Sequence, residues 1–191
     1  MDDEQIQRWT VLKEEDISPS PWFPLLRHTV QLQNGQVIDD YYFAPLGDVV
    51  ILVALTPLHE VVIVRQYKHG LGDILLELPG GMRQNGKTLE ESALNELEEE
   101  AGIKVTADRL LPLGKLANNP TKTLQVTYGY LVLDAVINAP QKLDDTEYIQ
   151  VLTLPAKKVL EMVTNGEIWT IDSVGFILKA ALMYPYIFGL R

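Results

Sequence analysis

Strand-like and helix-like rhythms alternate along this chain of 191 residues. Residues 27–33 and 36–43 read as two strands, because the Asn34-Gly35 pair between them is a strong signal for a two-residue hairpin turn. Residues 49–55 and 61–66 are apolar runs of strand length joined by the stretch 56–60, and 74–78 is a third such run. Later strand candidates are 110–116, 125–133 and 148–153. Pro155 suits the opening of a helix that ends near Asn165-Gly166, with Val159, Leu160 and Val163 at helical spacing. A last helix spans roughly 171–183. Residues 1–20 are polar and end in Ser18-Pro19-Ser20-Pro21, so they read as a lead-in rather than core. Interleaved strands and helices predict an α/β (α+β) fold with a mixed β-sheet between helices. Ala44-Pro45-Leu46-Gly47 reads as a boundary between an N-terminal antiparallel β segment, 1–44, and a main domain, 45–191.

One further helix carries the chemistry. Thr88 and Glu91 form a T-x-x-E capping box, and Gly102 stands where a left-handed residue closes a helix. With Leu97 at the centre of a buried stripe and 100° per residue, Leu89, Ala93, Leu94 and Ala101 fall within about 80° of it. Glu96, Glu99 and Glu100 then line one border of the stripe, and Glu98 points to the other side. Carboxylates spaced i, i+3 and i+4 repel one another by about 0.2–0.5 kcal/mol per exposed pair, and by more where water is excluded. A cation between them removes that cost, and hard divalent ions take oxygen ligands and share themselves with substrate phosphates. Ahead of the helix, Pro79, Gly80 and Gly81 read as a turn in which backbone groups approach a metal or a phosphate closely. Glu96, Glu99 and Glu100 are therefore candidate metal ligands.

Laid from Gly81, this stretch resembles the signature of the Nudix hydrolase family, G-x5-E-x7-R-E-U-x-E-E-x-G-U with U aliphatic. Gly81, Glu96, Leu97, Glu99, Glu100, Gly102 and Ile103 match, whereas Lys87 stands in place of the first Glu and Asn95 in place of the Arg. In the family that Arg forms a buried ion pair with an acidic partner and holds the loop and the glutamates in place. Losing both members avoids an unpaired buried charge. Lys87 is left to reach Glu90, Glu91 or the metal-site carboxylates, and in the last case it would weaken metal binding and turnover.

The whole chain is similar to the ADP-ribose pyrophosphatase branch of that family. Val64-Arg65-Gln66-Tyr67-Lys68 resembles its V-R-Q-Y-R, and Glu77-Leu78-Pro79-Gly80-Gly81 resembles its E-x-P-A-G. Asp144-Asp145-Thr146-Glu147-Tyr148-Ile149, followed by Gly166-Glu167-Ile168, resembles its late acidic loop and G-x-I ending. The resemblance implies hydrolysis of the diphosphate in ADP-ribose or a related nucleoside diphosphate derivative. It also implies Mg²⁺ or Mn²⁺ held by Glu96, Glu99, Glu100 and the Gly80 carbonyl. Glu99 and Glu147 are the candidate catalytic residues, Glu147 as a general base on the late loop or else a plain surface acid. Arg65 suits a diphosphate through its planar fork, or a strand-end ion pair. Glu77 would hold an adenine or ribose group, or Arg65, or else is a plain edge-strand charge. Members of the branch form dimers in which the N-terminal segment of one subunit helps to build the other's nucleotide site. A homodimer is therefore expected, with Trp22, Trp9 and Arg27 either stacking on a base or packing the N-terminal segment.

A net charge of −10 argues against nucleic acid and anionic membranes as partners. Positive charge for an anionic substrate must then be local or supplied by a metal. The chain has no cysteine, which excludes disulfides, thiolate ligands and thiol nucleophiles and fits a cytoplasmic protein. Its first residues are acidic and lack the basic-then-apolar layout of a signal peptide, and no apolar run has membrane-spanning length. Three functional readings stand: a hydrolase with activity reduced by Lys87 and Asn95, a nucleotide-binding or regulatory module of the same fold, and a nucleoside triphosphate house-cleaner, which the long N-terminal segment disfavours.

Overall fold

The structure, a computed structural model, describes residues 5–190. Residues 1–4, part of the acidic stretch read above as unlike a signal peptide, lie outside them, as does 191. The chain divides into two compact units. One takes the residues up to Gly47 together with Asn119–Gln125, and the other takes Asp48–Asn118 and the chain from Val126 onward.

The N-terminal unit is a three-stranded antiparallel sheet of β1 (Thr10–Asp16), β2 (Leu26–Gln31) and β3 (Val37–Phe43), in that order. The hairpin turn falls at Asn34-Gly35, where Gly35 adopts φ 84° and donates its N–H to the Leu32 carbonyl at 2.9 Å. β1 adds a strand within residues 1–20, where the sequence pattern assigned none. Its side chains are almost all exposed, so the segment shows no buried face, and pairing with β2 from Thr10↔Gln31 to Asp16↔Leu26 is what makes it a strand. Asn119–Gln125 is tied to the sheet by the Tyr41 hydroxyl, which donates to the Thr121 carbonyl at 2.6 Å, and by the Ala44 N–H on the Lys122 carbonyl at 2.8 Å.

Among the described residues the larger unit holds two sheets and three α-helices. Strands β4 (Val49–Ala54), β7 (Gly80–Met82), β8 (Leu111–Ala117) and β9 (Val126–Val132) form a mixed sheet ordered β7-β4-β9-β8, with β4 and β9 parallel. Strands β5 (Glu60–Lys68), β6 (Asp73–Glu77) and β10 (Ile149–Pro155) form an antiparallel sheet ordered β10-β5-β6. The helices are α1 (Leu89–Ala101), α2 (Ala156–Asn165) and α3 (Ile171–Met183). β4 explains the layering. Val50, Leu52 and Ala54 pack with Ala93, Leu97 and Ala101 of α1, whereas Ile51, Val53 and Leu55 pack with Val159 of α2 and Phe176 and Ile177 of α3. A strand covered on both faces must be apolar at every position, and 49–54 is. Among the described residues no helix is long and apolar enough to cross a membrane.

α1 forms because its ends are specified locally. The Thr88 N–H donates to the Glu91 carboxylate at 2.7 Å and the Glu91 N–H to the Thr88 hydroxyl at 3.1 Å, satisfying two donors that a helix start leaves free. Gly102 closes the helix at φ 64° and returns its N–H to the Glu98 carbonyl at 3.0 Å. Ala93, Leu97 and Ala101 are buried on its inner stripe, with Leu89 and Leu94 packed at the margins.

Candidate active site

The Pro79-Gly80-Gly81 stretch is not a free turn. Gly80 and Gly81 are in β7, paired with Ile51 and Val50 of β4. The Leu52 N–H bonds the Pro79 carbonyl at 2.9 Å and the Arg83 N–H bonds the Asp48 carbonyl at 2.8 Å. This register leaves Gly80 at a position whose peptide groups point away from β4. Its N–H accordingly reaches α1 and donates to the Glu100 carboxylate at 2.8 Å. Both glycines permit a close approach, Gly80 to the β4 backbone and Gly81 to a flexible side chain. A Cβ on Gly80 would lie 2.2 Å from the Val50 carbonyl oxygen, and one on Gly81 would lie 2.7 Å from Glu96 Oε2.

The glutamates of α1 divide as their positions predict. Glu100 is buried, at 5% exposure, and Glu96 and Glu99 are half-buried. Burial pushes the Glu100 carboxyl up to about 8, although the Gly80 N–H works against the rise, as does nearby Lys68. Burial likewise raises Glu96 to about 7, with added repulsion from Glu99, Glu147 and Asp144. Glu98 faces elsewhere. Lys142 at 2.6 Å and Lys104 at 3.6 Å pair with it, and the Lys142 hydrogen bond holds its carboxyl below the usual range.

The late acidic loop is pinned onto the end of α1. The Gln141 side chain donates to the carbonyls of Glu100 at 2.6 Å and Ile149 at 3.2 Å, and the Lys142 N–H donates to the Glu99 carbonyl at 2.9 Å. Beyond that pin the chain turns on itself. The Glu147 N–H bonds the Asp144 carbonyl at 2.9 Å, and the Asp144 N–H bonds the Glu147 carboxylate at 3.1 Å. Glu147 is thereby held close enough for its charge to act on both Glu96 and Glu100.

Arg65 is exposed and makes no ion pair among the described residues; it lines a cavity with Tyr67, Ile74, Leu143, Glu147 and Tyr148. Glu77 pairs with Lys68 at 3.5 Å and accepts from Gln66 at 3.4 Å, so its partner is Lys68 and not Arg65. Arg27 and Trp22 belong to the N-terminal unit, where the Arg27 Nε donates to the Asp39 carbonyl at 3.0 Å. Trp22 is 92% exposed, whereas Trp9 stands edge-on to Tyr41 at 5.6 Å. Lys87 reaches neither Glu90, Glu91 nor the glutamate cluster. Its ammonium donates to Gln84 Oε1 at 2.5 Å, and Asn95 donates to the same oxygen at 2.8 Å.

Lys68, Asp144 and Gln84 are the site neighbours that sequence reasoning left without roles. Lys68 and Asp144 were legible as members of the quoted motifs, whereas Gln84 occupies a variable position of the signature and carries no signal. Among the described residues no three His, Asp or Glu side chains converge as a finished ligand set. Glu100 is turned to Gly80 and Glu147 to Asp144. The donor chemistry nonetheless fits a divalent cation. Two carboxylates that burial and repulsion hold above their usual range are relieved when a cation displaces their protons.

Comparison with known proteins agrees with this geometry. Residues 9–44 match the nucleoside diphosphate sugar hydrolase N-terminal domain, and residues 45–169 match the NUDIX domain. The chain is 26% identical over 165 residues to an ADP-ribose pyrophosphatase of Bacillus subtilis (strain 168), covering 86% of this chain and 87% of that one. It is 34% identical over 107 residues to an ADP-sugar pyrophosphatase of Mus musculus, covering 53% of this chain and 49% of that one. The solved structure of an ADP compounds hydrolase superposes with a TM-score of 0.83 at 19% identity, over 96% of this chain and 97% of the other, so the fold is shared. With a NUDIX domain filling most of its length and the glutamate helix seated against β7, the chain belongs to the Nudix hydrolase family.

Proposed function

We propose that the protein hydrolyses the diphosphate of ADP-ribose or a related nucleoside diphosphate derivative with Mg²⁺ or Mn²⁺. The observation that supports this reading is the nearness of Glu99 and the late-loop Glu147 to Glu96, beside a Glu100 that is bonded to the Gly80 N–H of β7. The names of the two pyrophosphatases support the substrate class.

Glu96, Glu99, Glu100 and the Gly80 carbonyl are the groups that would hold the ion. A bound divalent ion neutralises diphosphate charge and acidifies water. The chain's own residues do the rest. Glu147, on its pinned loop, takes the proton of the attacking water, and the loop's attachment to Glu99 and Glu100 keeps that carboxylate beside the cluster. Arg65 and Lys68 offer positive charge to phosphate oxygens in a protein that is otherwise acidic. Glu77 orients Lys68 by its ion pair.

The active form in this reading is a homodimer. The N-terminal unit exposes Val11, Leu12, Trp22, Phe23 and Val37, apolar side chains that a second copy would cover, with Trp22 and Arg27 available to the nucleotide. A turnover screen tests the whole reading. ADP-ribose, ADP-sugars, dinucleotides and nucleoside triphosphates are offered with Mg²⁺ and with Mn²⁺, and a chelator serves as control. ADP-ribose is expected to yield AMP and ribose 5-phosphate only when metal is present. Tight binding of one of these compounds without turnover would favour the regulatory module instead, and a monomer by light scattering with full activity would remove the dimer.

A further inference from the structure

We propose that Gln84 is a positioning residue, an oriented amide through which Lys87 and Asn95 hold the glutamate cluster. The inference rests on reading that cluster as a metal site. Lys87 Nζ and Asn95 Nδ2 both donate to Gln84 Oε1, at 2.5 and 2.8 Å. An ammonium group has three donors and no acceptor, so the end of the amide that meets Lys87 must be its oxygen. That settles the amide's orientation, which side-chain shape alone leaves open. The Nε2 end then faces the other way. It lies 3.5 Å from Glu99 Oε2, a long contact, and it works against the rise that burial imposes on the Glu96 carboxyl.

Both ends of this lever are anchored. The Gln84 N–H donates to the hydroxyl of Ser92, a residue with no exposure, at 3.1 Å, and that hydroxyl donates to the Thr88 carbonyl at 2.9 Å. The Lys87 N–H closes the turn onto the Gln84 carbonyl at 3.2 Å, and the Arg83 Nε donates to the Lys87 carbonyl at 3.0 Å. The arrangement changes what Lys87 does. Held by a neutral amide, its charge polarises Gln84 so that N–H donors point at the carboxylates, and it does not sit among them as a rival to a cation. The two departures from the family signature are thereby joined by a residue that the signature does not specify.

Mn²⁺ binding to the full chain, followed by electron paramagnetic resonance, tests this without relying on turnover. Groups that orient metal ligands typically contribute 10–100-fold to affinity. Gln84→Met should therefore weaken Mn²⁺ binding by about tenfold or more. Lys87→Met should weaken it less but in the same direction, and Lys87→Arg, which keeps the donor, should restore the parent affinity. Adding Lys87→Met to Gln84→Met should change nothing further. Thermal melts check that each variant folds, and the Lys87 pair decides the matter should Gln84→Met fail to. Tighter Mn²⁺ binding by Lys87→Met would mean that Lys87 is a competing cation, and unchanged binding by Gln84→Met would mean that the amide does not position the cluster. Either result overturns the proposal while leaving the metal site standing. A parent chain that binds no Mn²⁺ overturns the reading of the site and this inference with it.

Discussion

The N–H of Gly80 donates to the Glu100 carboxylate at 2.8 Å, so a three-residue strand and the last turn of α1 are joined by a side chain with only 5% exposure. Glu98, two residues earlier, is instead taken by Lys142 and Lys104. Turnover should separate the two positions. Glu100→Gln should lower kcat/KM by about a thousandfold, or ~4 kcal/mol in the barrier, since an amide still accepts from Gly80 but gives no charge to a cation. Glu98→Gln should change the rate little. Equal losses would show that the chemistry does not depend on the β7-facing side of the helix.

The two glycines of β7 should fail in different ways. A methyl on Gly81 would meet the end of the Glu96 side chain at 2.7 Å, and a flexible carboxylate can move aside. Gly81→Ala is expected to melt close to the parent while losing much of its metal affinity and rate. A methyl on Gly80 would meet the Val50 carbonyl at 2.2 Å and a backbone at φ 154°, where nothing can yield cheaply. Gly80→Ala should therefore lower the melting temperature. A Gly81→Ala variant with the parent's Mn²⁺ affinity would mean that Glu96 is not held where its carboxylate matters.

Local rules made much of this legible, and long-range pairing hid the rest. α1 could be read to its caps because Thr88, Glu91 and Gly102 specify its ends within the segment itself. The apolar run 49–54 announced a buried strand because both its faces are covered. β1 could not be read, since a strand with an almost wholly exposed face is indistinguishable from a polar lead-in until β2 lies beside it. Gly80-Gly81 looked like a turn because glycine has little strand preference, and only the pairing with Val50 and Ile51 makes it β7. At the site, the helix spacing put Glu96, Glu99 and Glu100 together. The approach of Glu147 depends on Gln141 and Lys142 bonding to carbonyls some forty residues away (separations of 41 and 43), which no local pattern records.

The buried carboxyls give stability a definite pH slope. Glu96 and Glu100 titrate near about 7 and about 8 in the fold, above the roughly 4.3 of an unfolded glutamate. Between those limits the folded chain binds more protons than the unfolded chain, so its stability falls as pH rises through the window and is fully present below it. With a chelator present, the melting temperature should decline from about pH 5 to about pH 9, and the decline should flatten in Glu100→Gln. Saturating Mg²⁺ should remove most of the decline, because the ion binds the ionised forms. A melting temperature that rises across this range would show that the cluster is not desolvated.

The last test concerns Lys87 and Asn95 together. Both side chains end on Gln84 Oε1, at 2.5 and 2.8 Å, so residues of opposite charge at these positions would meet each other directly. Lys87→Glu with Asn95→Arg should form the ion pair that the family signature carries and release Gln84 from its role. Lys87→Glu alone places a carboxylate against the Gln84 oxygen. The amide is then driven to turn over, bringing that oxygen toward Glu96 and Glu99, and metal affinity should fall. Asn95→Arg alone sets a second cation beside Lys87 and should gain nothing. A double-mutant cycle on Mn²⁺ affinity and kcat/KM should therefore give a favourable coupling of about 1 kcal/mol or more. The doubly substituted chain should be at least as active as the parent. Additive effects within error would mean that the two positions do not act on one another, and that their departure from the signature has no bearing on the site.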